Sequence, residues 1–287
     1  MNRPGPGAGE RSGREARDDD GRDDDDEGRG DEGRGDGGSR GGDGRVVYGA
    51  RPVEELVRAR PREVSVVYVA EGTRSPEIDR VLQLARERAI AVEVRPRRMV
   101  AELAGEGVHQ GLVAVTGRFR YATLDELYAA AARAGRPPLF VVLDGITDPH
   151  NLGAIARSAE VLGGHGLIVP ARGSASIGPG AVKASAGATE RLPIAEVGNL
   201  LKAIDALRIR GVRVLGAGAG EGERIDQVDL SGPLALVVGA EGRGMREAVA
   251  RRCDGLFHIP QRGQVASLNA SVAAAIALYE AARQRGW

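Results

Sequence analysis

At 287 residues the chain has room for two compact domains, and its 42% hydrophobic content supplies cores for part of it. No apolar run approaches the roughly 20 residues of a membrane span, the N-terminus lacks the apolar core of a signal peptide, and a single cysteine, Cys253, excludes an internal disulfide or a thiolate cluster for zinc. The zero net charge conceals an asymmetry: residues 1–44 hold 14 Asp/Glu against 8 Arg, leaving 32 Lys/Arg against 26 Asp/Glu in residues 45–287, a body whose excess suits a polyanionic partner.

Residues 1–44 carry essentially no large apolar side chain, so they bury too little surface to offset chain entropy and are expected to be a disordered acidic Gly/Arg/Asp-rich tail. Its Arg-Gly pairs can touch RNA, but runs such as Asp23 to Asp26 repel phosphate, which favours a solvating tail. From Arg45 the pattern alternates: a helix "VEELVRAR", a strand Val64 to Ala70, a helix Pro76 to Arg88, a strand "IAVEV", a short helix and a strand "LVAVT". That alternation predicts a small α/β unit over residues 45–117, followed by a linker, 118–122, bearing two arginines and two aromatics.

A second α/β unit, 123–287, opens with the helix "TLDELYAAAARA" and continues through strands "LFVVL", "GLIV", "LPIAEV", "VRVLGA", "LALVVG" and "LFHIP". Several are continuous apolar runs, the mark of parallel strands covered on both faces. A final helix is expected from Leu268 to Arg283, with Leu268, Val272, Ala275, Ile276 and Tyr279 forming one apolar stripe that packs on the sheet, on a second subunit, or on both.

In open parallel sheets ligands bind beyond the carboxyl ends of the strands. Three late strands end there in small residues: Gly216-Ala217-Gly218, Gly239-Ala240-Glu241-Gly242, and Ile259-Pro260. Such ends let a ligand approach the main chain, although glycines at these places can also serve only as turns. "VLGAGAGEG" is not a Rossmann loop, because Glu221 breaks the glycine spacing and too few residues follow for a helical crossover. "GAEGRGM" lacks the Lys-Ser/Thr pair of a P-loop, and the four histidines are scattered without ligand spacing, so no metal is expected.

The junction "LDGITDPHNLGAIARSAE" runs a buried-type strand into a polar elbow and an arginine-bearing helix. Taken alone, Asn151 can simply cap that helix, Arg157, about 200° round from Ile155, can simply face solvent, and Asp144 can hold the elbow through backbone amides. "ASLNAS" places Ser267, Asn269 and Ser271 in what is expected to be one helix's first turn, where one polar residue suffices as a cap.

Together "DGITDPHNLGAIARSAE", "KASAGATERLPI", "LVVGAEGRGM" and "IPQRGQVASLNASVAAAIALYE" resemble the ordered motifs of the SpoU/TrmH-type branch of the SPOUT superfamily, the S-adenosylmethionine-dependent RNA ribose 2′-O-methyltransferases. "VVYGARPVEELV" and "HQGLVAVTG" are similar to the substrate-binding domain that precedes it, a fold like ribosomal protein L30e. The resemblance implies an α/β catalytic domain with a parallel sheet and a deep trefoil knot, a homodimer, and cytoplasmic work on RNA, most similar to bacterial enzymes that methylate a guanosine of 23S rRNA.

It further implies catalytic roles for Asn151, Arg157, Glu241, Ser267 and Asn269, and binding of S-adenosylmethionine by Leu215, Gly216, Ala217, Gly239, Glu241, Gly242, Ile259, Pro260 and Leu268. Ala270 replaces the family's commoner valine, and Arg51 stands where relatives often carry His or Asn. The same motifs serve 2′-O-methylation of tRNA or of the thiostrepton-site rRNA nucleotide, and a non-catalytic RNA-binding assembly factor could keep the fold. Intact Asn151, Arg157, Glu241, Ser267 and Asn269 argue against the last.

Overall fold

The computed structural model describes residues 45–105, 107–264 and 267–286, so the expectation for the acidic tail lies outside the described residues. The first part of the chain runs β1 (Arg45–Tyr48), α1 (Ala50–Ala59), β2 (Val64–Ala70), α2 (Pro76–Glu87), β3 (Ala91–Arg95), α3 (Arg97–Ala104) and β4 (Leu112–Thr116). Its four strands form one mixed sheet in the order β1-β4-β2-β3, in which only β2 and β3 are parallel. The alternation predicted every one of these elements except β1, a four-residue strand paired antiparallel with β4.

The second part runs α4 (Leu124–Ala134), β5 (Leu139–Asp144), α5 (Pro149–Val161), β6 (Gly166–Pro170), α6 (Pro179–Ala184), α7 (Ala188–Arg191), β7 (Ile194–Val197), α8 (Leu200–Ile209) and β8 (Arg213–Ala217). It ends with β9 (Glu223–Arg224), β10 (Leu234–Gly239), α9 (Glu247–Ala250), β11 (Gly255–His258) and α10 (Ala270–Gln284). Its sheet has the order β7-β6-β5-β10-β8-β11-β9, with every strand pair parallel. Every residue of β5 and β6 is buried, as continuous apolar runs require when helices cover both faces. Between β8 and β10 there is only the two-residue β9 and no helix, which is why a Rossmann crossover does not form there.

The two sheets share an apolar cluster that runs from Val47, Val53 and Leu56 through Ala181, Val182 and Leu192 to Leu143 and Ile155. Beside it lies a buried charge cluster. Glu190 of α7, with a fully buried side chain, accepts hydrogen bonds from Arg45 Nη1 at 2.8 Å and Nη2 at 3.0 Å. Arg60 donates to the Glu190 and Thr189 carbonyls at 3.0 and 3.3 Å. Both guanidinium groups lie over the ring of Phe119, at 5.1 and 4.8 Å from its centroid. The expected linker is thus tied down: Phe119 sits under two cations, and the Ala122 N–H donates to the Ile194 carbonyl at 2.7 Å.

The last helix corrects the expected stripe. It starts at Ala270, and its buried face is Ala270, Ala274, Ala277, Leu278, Ala281 and Ala282, packed on α5 and β10. Val272 and Tyr279 of the expected stripe are 45% and 50% exposed, Ala275 and Ile276 are only half-buried, and Leu268 precedes the helix. The stripe therefore does not pack on this chain's own sheet, whose contact with α10 is made mainly by alanines and Leu278. Among the described residues no helix is long and apolar enough to cross a membrane.

Candidate active site at the carboxyl ends of the parallel strands

Four neighbouring strands, β5, β10, β8 and β11, deliver their carboxyl ends side by side. Asp144 ends β5 with a fully buried side chain, accepting the Arg246 backbone N–H and its Nε–H, each at 2.7 Å. It therefore anchors the loop after β10, a partner that local reasoning about its own elbow could not name. That loop doubles back at once: Ala240 and Gly244 exchange backbone hydrogen bonds at 3.1 and 2.8 Å. At Gly239 a Cβ would lie 2.1 Å from the Met245 nitrogen, so the reversal admits only glycine.

This reversal brings Glu241 to the entrance of α5 and α10. Asn151 Nδ2 donates to Glu241 Oε1 at 2.8 Å, Asn269 Nδ2 donates to the same oxygen and to Asn151 Oδ1 at 2.9 Å, and the Ala270 N–H reaches Glu241 at 3.4 Å. Asn269 has two jobs, because its Oδ1 also caps α10, accepting from the N–H groups of Ser271 at 2.9 Å and Val272 at 3.3 Å and from the Ser271 hydroxyl at 2.6 Å. Asn151 is not a cap. That role falls to Asp148, whose carboxylate accepts the His150 N–H at 2.9 Å, leaving the Asn151 amide free for the cluster. Ser267 lies ahead of α10 instead of in its first turn.

Behind the cluster is a cleft of about 110 Å³, walled by Ala217, Gly218 and Ala219 after β8, by Val238 to Gly242 at the end of β10, and by Ile259, Gln261, Ser267 and Leu268. The three loops meet because β10, β8 and β11 are sheet neighbours. Leu215 and Gly216 are not among the lining residues: both are buried in the sheet, with the Met245 side chain against Gly216. Pro260 is exposed and also lies off the cleft. Gly218 and Ala240 of the strand-end pattern also line the cleft, and the walls outside that pattern, Ala219, Val238 and Gln261, immediately flank residues within it.

Residues 138–279 match the family model described as the SpoU rRNA methylase family, and residues 46–122 match the one for RNA 2′-O ribose methyltransferase substrate binding. The 23S rRNA (guanosine-2′-O-)-methyltransferase RlmB of Pseudomonas syringae is 42% identical over 243 residues, covering 83% of this chain and 95% of that protein. The chain belongs to the SpoU methylase family. RlmB of Pseudomonas aeruginosa is likewise 42% identical to this SpoU methylase, over 240 residues, 83% of this chain and 96% of that protein. A crystal structure of the SpoU methyltransferase AviRb from Streptomyces viridochromogenes, in complex with the cofactor AdoMet, superposes with a TM-score of 0.71 at 28% identity, covering 85% of this chain and 91% of that one.

In this SpoU methylase Arg157 stands apart from the cluster. Six residues beyond Asn151 on α5, it lies about 9 Å along the axis and about 120° round it. It is exposed, has no hydrogen-bond or ion-pair partner among the described residues, and lines a different cavity, of about 150 Å³, together with Arg51, Glu55, Glu160, Arg191 and the turn at 185–188.

Proposed function

We propose that this chain transfers a methyl group from S-adenosylmethionine to the 2′-hydroxyl of a guanosine ribose in 23S rRNA, as a cytoplasmic homodimer. The observation that carries this reading is the Asn151–Glu241–Asn269 cluster at the lip of a cleft built from three adjacent loops. Small residues and main chain, with Val238, Ile259 and Leu268 as apolar walls, suit a flat nucleoside held by backbone groups. Ala217, Gly239, Gly242, Ile259 and Leu268 would hold it.

When bound, the cofactor supplies an electrophilic methyl group on a cationic sulfur. The ribose hydroxyl is a poor nucleophile, so the protein must align it and manage its proton. Two amide side chains aim Glu241 and leave its carboxylate exposed, able to accept the hydrogen bond of the hydroxyl; Ser267 lies beside it on the cleft wall. Arg157, always protonated, binds a backbone phosphate and stabilises charge that develops on the ribose oxygen.

Arg157 faces away from its own chain's cluster, and Val161 (69% exposed), Val272 and Tyr279 leave apolar surface open on the packed helices α5 and α10. Pairing two copies through these helices covers that surface and brings one chain's Arg157 to its partner's cleft. The test is methyl transfer to a 23S rRNA fragment, with tRNA as the alternative acceptor. Asn151→Ala and Arg157→Ala each reduce it at least about a hundredfold. Mixed and re-equilibrated, the two variants recover roughly a quarter of wild-type activity, because half the dimers are mixed and each holds one intact site. A mixture as inactive as its parts refutes sharing of Arg157, and wild type without transfer to any RNA refutes the function.

A further inference from the structure

We infer that Arg51, from the substrate-binding part of the chain, grips the same stretch of RNA backbone as Arg157, with a phosphodiester seated in the cavity between them. The inference rests on the methyl-transfer reading and adds to it a residue from outside the catalytic sheet.

The cavity of about 150 Å³ is walled by α1 through Arg51 and Glu55, by α5 through Arg157 and Glu160, and by the turn linking α6 to α7. Its charges sort into two groups. Arg191 is engaged by both carboxylates, Glu55 and, at 3.7 Å, Glu160. Arg51 and Arg157 are both exposed, and neither has a hydrogen-bond or ion-pair partner among the described residues. The three engaged groups sum to −1 and the two unengaged ones to +2, so the cavity lining carries a net positive charge. Two such groups facing one small cavity repel each other, and one phosphate relieves the repulsion by accepting hydrogen bonds from both.

The juxtaposition is built in. Glu190, three residues beyond the turn, is the buried acceptor of Arg45 and lies 3.8 Å from Arg60 Nε, which docks α1 and β1 onto α7. At Gly187, φ is +89° and a Cβ would lie 2.6 Å from the Glu55 Cβ, so the turn meets α1 at a distance only glycine allows. Buried Ser185 fixes the turn, its hydroxyl donating to the Val182 carbonyl at 2.8 Å and accepting the Gly187 N–H at 3.2 Å. Whichever cleft Arg157 serves, Arg51 travels with it.

The experiment uses the full chain with Arg51→Ala and Arg51→Lys, following methyl transfer to a 23S rRNA fragment across a salt series, with S-adenosylmethionine binding and thermal melting as controls. Arg51→Ala is expected to raise KM for RNA about tenfold with kcat within about twofold. The slope of log(kcat/KM) against log salt should become shallower by about 0.7, the value for one phosphate contact on a single strand. Arg51→Lys should restore the slope and most of KM, with cofactor affinity and melting unchanged throughout. Unaltered KM and slope in Arg51→Ala overturn the inference, as does an equal loss in both variants accompanied by earlier melting, which would mark a structural role. A wild-type protein that methylates no RNA overturns the functional reading itself, a different result from an active enzyme indifferent to Arg51.

Discussion

Two glutamates sit at the centres of the two polar clusters, and their surroundings are opposite. Glu190 is fully buried and meets cations, accepting two hydrogen bonds from Arg45 and lying 3.8 Å from Arg60 Nε, with both guanidinium groups over the Phe119 ring. Glu241 is exposed and among the described residues its carboxylate meets neutral donors, the amides of Asn151 and Asn269 and one backbone N–H. A buried carboxylate repays its desolvation only through a matching charge, so the first cluster is a fastener between the two sheets. An exposed carboxylate held by amides has one definite orientation and stays open to a ligand, which is what a substrate contact needs.

The largest expected effect separates the two directly. Glu190→Ala leaves Arg45, only 7% exposed, without its counter-charge, a loss of about 3 to 5 kcal/mol by the usual penalty for breaking a buried pair. Melting should fall by about 10 °C for a chain of this size. Glu241→Ala should shift stability by no more than about 0.5 kcal/mol, yet lower kcat/KM about a hundredfold, or about 2.7 kcal/mol of transition-state stabilisation. Calorimetry and methyl-transfer kinetics on the same two proteins check both, and a Glu241→Ala that melts as early as Glu190→Ala would erase the distinction.

The contrast also explains what was legible in the sequence. The strands of the parallel sheet were readable because burial on both faces leaves continuous apolar runs, and their glycine-rich ends pointed to the loops that wall the cleft. Glu190 was not readable as a fastener: its partners, Arg45 and Arg60, are 145 and 130 residues away, and no local pattern distinguishes a buried carboxylate from a solvated one. Of the packing choices open to the stripe on α10, the sequence could not decide, because periodicity weights large side chains whereas the face packed on this chain is mostly alanine and Val272 and Tyr279 stay exposed. The separation of Arg157 from Asn151 follows from helix geometry alone.

His165 takes the buried side of the comparison one step further, since it has no counter-charge at all. It is 7% exposed, its Nδ1 accepts the Leu139 N–H at 3.0 Å, and burial, helped by the positive charges of Arg285 and Arg136, holds its pKa below the usual value of 6.5. Below that pH the unfolded chain binds a proton that the folded chain refuses, so this group's contribution is intact above about pH 6.5 and stability declines as pH falls through and below it. His165→Gln keeps an acceptor for Leu139 without a titrating group. Urea unfolding at pH 7.5 and 5.5 should show wild type losing more stability than the variant between the two conditions. Equal losses would mean that the imidazole accepts its proton in place, and that burial without a partner does not govern its charge.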